Sequence, residues 1–207
     1  ARRLSSARAG GMTADVRIVA GFPENQRPVA ARLFWQAFSG KLGKVLAPEA
    51  KALCLLERIL DPRFAISALT PDGHLTGMAG YKTGDGALTG GGFKEMAAVY
   101  GLFGGLWRGL LLDMLDRETE PDILLMDGIF VSADARGKGV GGRLLEAVCE
   151  EARGRSLARV RLDVIDTNPR ARALYERAGF EPAGEETTGI FKGLFGFSSA
   201  TRMERRV

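Results

Sequence analysis

The sequence predicts one α/β domain built on a mixed sheet with helices on both faces, and three observations carry that reading. The chain of 207 residues is nearly half apolar, enough to bury one sizeable core but hardly a second. Strand-like runs dominate its first half. A strand–helix–strand unit organises its second, so the sheet is a mixed one with helices packed against it.

Residues 1–11 are rich in Arg, Ser and Ala, carry no acid, and precede Met12. They read as a disordered tail outside the fold: a cloning scar, an over-extended reading frame or a transit-peptide remnant. The domain then spans 12–207. Residues 16–20 form a first strand. Pro23-Glu24-Asn25 opens a helix through Phe38, and Pro48 starts a second, with Leu53, Leu56, Ile59 and Leu60 at helical spacing until Asp61-Pro62 stops it. Residues 64–69 and 75–81 pair as an antiparallel hairpin around Pro71-Asp72-Gly73-His74. An insertion near 82–121 follows, glycine-rich at first and helical from Phe93 to about Thr119. It packs against the domain, forms a dimer face or walls a substrate pocket. Beyond it the pattern is regular: strand 123–132, helix 139–154, strand 159–165 and helix 169–178. Gly179 sits where a helix end needs positive φ, and two final strands fall at 181–187 and 199–205.

The charge balance narrows the partners. Lys and Arg total 29 against 25 Asp and Glu, a net charge of +4. Arg2, Arg3 and Arg8 lie in the leading segment, and removing them leaves +1, no electrostatic footprint for nucleic acid. Arg108 and Asp113 interrupt the apolar insertion too early for a membrane span. No signal-type apolar region follows the basic start. Cys54 and Cys149 lack metal-ligand spacing and read as buried apolar residues in a reducing compartment. The expectation is a cytoplasmic protein with no metal.

The chemistry concentrates in Arg136-Gly137-Lys138-Gly139-Val140-Gly141-Gly142, which joins a strand to its helix. Glycines without Cβ atoms let backbone N–H groups approach a bulky anion, and the helix start adds unpaired N–H groups and the positive end of its dipole. This is a pyrophosphate site, with Arg136 and Lys138 as charge partners. Gly137-x-Gly139-x-x-Gly142 also fits the dinucleotide fingerprint, with Asp163 at the distance of a ribose-binding acid. That fingerprint should open a long parallel sheet, however, and here it comes in the last third of the chain.

Arg136-x-x-Gly139-x-Gly141 resembles the acetyl-CoA pyrophosphate loop of the GNAT superfamily of N-acetyltransferases. The stretch from Asn168-Pro169-Arg170-Ala171 through Leu174-Tyr175 to Gly179-Phe180 is similar to that family's second cofactor motif, about thirty residues on with a strand between. The resemblance implies a mostly antiparallel sheet whose central strands splay, with the pantetheine arm of acetyl-CoA lying between them. Ile129, Phe130 and Val131 then line the arm, and exposed backbone groups of Ile129 and Val131 pair with it. Gly137, Gly139, Val140, Gly141 and Gly142, with Arg136 and Lys138, hold the pyrophosphate.

The family reaction is direct attack of an amine on the thioester, with a strand amide polarising its carbonyl. Tyr175 matches the tyrosine whose phenol protonates the departing thiolate; packing inward is its structural alternative. Asn168 either contacts the pantetheine arm or holds the strand-to-helix turn. Asp127, at even spacing from Ile129 and Val131, shares their side if no bulge intervenes; as an acid within an apolar strand it is a candidate base, and ordered water is the other. Glu185 and Glu186 are weaker candidates. His74, the only histidine, sits in a surface turn. Phe191, Leu194, Phe195 and Phe197 suggest a pocket wall, core packing or a dimer contact. The acceptor is then a primary amine on a small molecule or peptide, and a homodimer is open. The alternatives are a nucleotide-cofactor oxidoreductase of the NAD type and a non-catalytic acyl-CoA-binding module.

Overall fold

The computed structural model describes residues 15–90, 92–113, 119–187 and 199–207. The leading segment and Phe191, Leu194, Phe195 and Phe197 lie outside them. The chain opens with β1 (Arg17–Ala20), a 3-10 turn at Glu24–Gln26, then α1 (Arg27–Leu46) and α2 (Glu49–Ile59). The first helix thus begins later than the sequence suggested and runs eight residues beyond Phe38. Gly40 and Gly43 each cost about 1 kcal/mol in a helix. Burial of Val45 and Leu46, both 2% exposed, offsets that by about 1.5–3 kcal/mol apiece. Arg27 donates to the carbonyls of Glu57 (3.1 Å) and Leu60 (2.6 Å), placing a cation on the last turn of α2 and tying it to the start of α1.

β2 (Ala65–Leu69) and β3 (Leu75–Thr83) form the expected hairpin, and β4 (Gly86–Ala87) folds back on β3. The insertion is two helices, not one: α3 (Phe93–Tyr100) and α4 (Leu102–Asp113). They break at Gly101, whose φ of 75° ends α3 in the left-handed region. Gly105 lets the two helices touch, since a Cβ there would lie 2.8 Å from the Ala97 nitrogen. Tyr100 donates its hydroxyl hydrogen to the Leu46 carbonyl, and Arg108 donates to that of Val45 at 2.7 Å while stacking on the Tyr100 ring. The insertion is clamped to the C-terminal end of α1.

The remainder is β5 (Ile123–Val131), α5 (Val140–Gly154), β6 (Arg159–Ile165), α6 (Pro169–Arg177), β7 (Glu181–Thr187) and β8 (Ser199–Arg206). The sheet runs β1-β2-β3-β5-β6-β8-β7, with β4 on the side of β3. β5–β6 is the one parallel pair among the described residues. A doubly wound dinucleotide fold needs consecutive parallel strands, so the NAD-type alternative loses its framework. α5 packs on one face against β2, β3, β5 and β6, and α1 packs on the other against β3 and β5. Phe34 and Phe38 of α1 meet Phe130 of β5 with ring centroids 5.4 and 5.6 Å apart, seating β5 on that layer. No described helix is long and apolar enough to cross a membrane.

Candidate functional site

The site begins where two strands part. β5 and β6 pair only at Ile123–Arg159, Leu124–Val160 and Leu125–Arg161. Beyond Leu125, β6 stays with β8 to Ile165 while β5 stays with β3 to Val131, so a wedge opens between them. Phe130 pairs with Met78, and the Ser132 amide donates to the Thr76 carbonyl, so these residues turn their backbone groups toward β3. Strand alternation turns those of Ile129 and Val131 the other way, into the wedge. The Val131 carbonyl takes a hydrogen bond from Arg136 Nε at 3.0 Å.

A bulge does intervene. Gly80 pairs with Gly128 and Tyr81 with Met126, which leaves Asp127 as the extra residue of β5. The even spacing that grouped Asp127 with Ile129 and Val131 therefore does not carry across. The bulge re-aims the strand at the mouth of the wedge, where Asp127 is half-buried.

The loop after β5 places its glycines for conformational reasons. Ala133–Ala135 makes a 3-10 turn, then Gly137 and Gly139 adopt φ of 76° and 77° on either side of Lys138. L-residues pay about 1–2 kcal/mol in this region. Such turns build the backbone concavities that bind anions. Gly139 is also the N-cap of α5. No side chain caps that end and no acid stands in its first turn, so its amides and its dipole face outward. Val140 is buried with its side chain on β3 near Gly77, leaving only its amide for a ligand. A Cβ on Gly141 would lie 3.3 Å from Leu174 Cδ2, whereas one on Gly142 meets nothing. Arg136 and Lys138 are exposed beside the loop.

The second motif stands against the first. Asn168 is the N-cap of α6, its Oδ1 accepting from the Ala171 amide at 3.2 Å, with Pro169 at the first helical position. Its turn-holding role is thus occupied. Gly179 ends the helix at φ 80°. Leu174 touches the start of α5 through Gly141, and Tyr175 is buried with its ring 6.2 Å from that of Phe180. The Tyr175 hydroxyl makes no hydrogen bond among the described residues, and burial pushes its pKa up to about 12.

Sequence reasoning missed a charged group on β6. Arg161 is buried, with Glu120 Oε1 3.4 Å from Nη1 and Asp163 Oδ1 3.7 Å from Nε. Asp163 lies two residues past the last β5–β6 pair on one side of the opening, and Asp127 lies past it on the other, as the extra residue of the bulge. Only the inter-strand register reveals this. Glu185 is exposed, and Glu186 pairs through β7 with Ala200. His74 is exposed in its turn. Cys149 is buried, its thiol pushed up to about 11 chiefly by desolvation, but Cys54 is exposed on α2, contrary to expectation.

A sequence profile of the Acetyltransferase (GNAT) family matches residues 30–180. The chain is 30% identical over 98 residues to an aminoglycoside N(6')-acetyltransferase type 1 of Klebsiella pneumoniae, covering 47% of this chain and 45% of that protein. It is 40% identical over 67 residues to a 5-NmdU N-acetyltransferase of Pseudomonas phage PaMx11, covering 32% and 46%. It thus spans about half the length of these relatives. An N-acetyltransferase structure from Staphylococcus aureus Mu50 superposes with a TM-score of 0.63 over 91% of this chain and 99% of that one. At 16% identity, that likeness speaks to the fold alone.

Proposed function

Because the chain belongs to the acetyltransferase (GNAT) family, we propose that it transfers an acetyl or other short acyl group from acetyl-CoA to a primary amine on a small molecule or peptide. The observation that carries this reading is the convergence of a strand wedge with an uncapped, glycine-led helix start at the same end of β5. A pyrophosphate matches the loop because Gly137 and Gly139 remove side chains from the approach while Arg136 and Lys138 supply positive charge. The wedge-facing groups of Ile129 and Val131 suit a strand-like amide chain such as pantetheine, added along β5. Phe130, turned to the α1 layer, braces that edge from behind.

Acetyl-CoA, when bound, supplies the thioester that the amine attacks. Tyr175, like any phenol, holds its proton at physiological pH, and it gives that proton to the departing thiolate. Asp127, at the bulge, takes the proton of the attacking amine directly or through water. Asn168 holds α6 in place so that Tyr175 keeps its position. The relatives support the acceptor class, since one is named for aminoglycoside and another for 5-NmdU N-acetylation.

The test is calorimetric titration with acetyl-CoA, followed by thiol release in a panel of aminoglycosides, polyamines and lysine peptides. Saturable binding with release for at least one amine supports the proposal. Binding without release for any amine makes the protein an acyl-CoA-binding module, and failure to bind removes the whole reading.

A further inference from the structure

All but one of the exposed large apolar side chains among the described residues lie on α4. Leu102 is 70% exposed, Phe103 89%, Leu106 51%, Trp107 44% and Leu110 61%. At 100° per residue these five fall within one arc about 140° wide, a full apolar stripe rather than scattered residues. The opposite side of the helix is accounted for. Gly105 lies against α3, and Arg108 is spent on the carbonyls of Val45 and Gly104. The clamp that fixes α4 to the end of α1 therefore presents the apolar side outward on a braced support.

Charge and area decide what covers this side. A membrane surface attracts helices with a basic polar face. α4 carries one arginine, Arg108, already spent on carbonyls, and one acid, Asp113, so it has no basic face for anionic lipid. Weighted by exposure, the five side chains present roughly 600 Å². Two such faces together bury on the order of 1,200 Å², the lower bound of a stable interface between folded chains. A two-fold axis needs nothing more than one face that accepts itself. We infer that α4 is a homodimerisation helix, packing its Leu102–Leu110 stripe on the same stripe of a second copy, with Leu106 nearest the axis.

Sedimentation analysis of the full chain at micromolar concentration tests this, together with Phe103→Asp and, in a Cys54→Ser background, Leu106→Cys. The expected results are a wild-type mass of twice 22.2 kDa, a monomeric Phe103→Asp of unchanged circular dichroism, and a Leu106→Cys that oxidises to a disulfide-linked dimer. A monomeric wild type overturns the inference. Binding of that monomer to phosphatidylserine vesicles would then assign α4 to lipid, and a lower melting temperature in Phe103→Asp would assign it to cover by the chain itself. A dimer that survives Phe103→Asp and does not cross-link at Leu106 also overturns it, placing the interface elsewhere. None of these readouts depends on acetyl transfer, so the dimer and the enzymatic proposal stand or fall separately.

Discussion

Gly139 offers the sharpest test of the pyrophosphate loop. With φ 77° and ψ 0° it is both the N-cap of α5 and a left-handed residue. Gly139→Ala places a Cβ where it costs about 1–2 kcal/mol. That energy has two outlets. If the loop keeps its shape, the folded state loses it and binding is untouched. If the loop relaxes to negative φ, stability is spared, the amides at the head of α5 turn away, and binding must restore the strained conformer. The stability loss and the binding loss should therefore sum to about 1–2 kcal/mol, up to roughly 5–30-fold in affinity when binding bears all of it. Gly139→Val should lose more, because a β-branched residue is less tolerant of this region. Thermal melts give the first part and acetyl-CoA calorimetry the second. A well-folded Gly139→Val with wild-type stability and wild-type affinity refutes the argument that this loop conformation builds the anion site.

Tyr175→Phe keeps the ring against Phe180 and should lower turnover about 10²–10⁴-fold with little change in acetyl-CoA affinity, measured by steady-state kinetics and calorimetry. The same variant carries a stability signature: the folded phenol titrates at about 12 and a free one near 10.0, so the folded state holds the extra proton between those values and wild-type stability falls as pH rises through them. Phe removes that fall, and denaturant melts at alkaline pH will show whether it does. Asp127→Asn should depress turnover most near neutral pH, where the amine is largely protonated, and least at high pH; an unshifted pH–rate profile assigns the base to water. Asn168→Ala removes the cap on α6 and should destabilise the protein by about 1 kcal/mol in chemical melts, with turnover falling more than acetyl-CoA affinity because Tyr175 rides on that helix.

The strongest parts of the sequence reading rested on residues whose conformation is decided locally. Asn168-Pro169 and Gly179 bracket α6 where expected, since an Asx cap, a proline at the first turn and a left-handed glycine act through their own dihedrals. Gly137 and Gly139 were legible for the same reason, as were the ends of β6. Other features depended on partners far along the chain. The bulge at Asp127 arises from pairing with Gly80 and Tyr81, some forty-five residues earlier, and no pattern within β5 encodes it. α1 runs past two glycines because Val45 and Leu46 find a core, an energy that propensity does not contain.

The sequence by itself determined the α/β class, the order of elements, the glycine loop at a strand-to-helix junction and the second motif with its tyrosine. Each is encoded in runs of a few residues, where backbone sterics and side-chain period act without help. Tertiary structure alone decided where β5 and β6 part, that Asp127 is the extra residue of a bulge beside that opening, that Cys54 is exposed, and that α4 breaks from α3 and turns its apolar side outward. Those are matters of register and packing between distant segments, and the free energy that selects them is the burial and pairing of surfaces that meet only once the chain has folded.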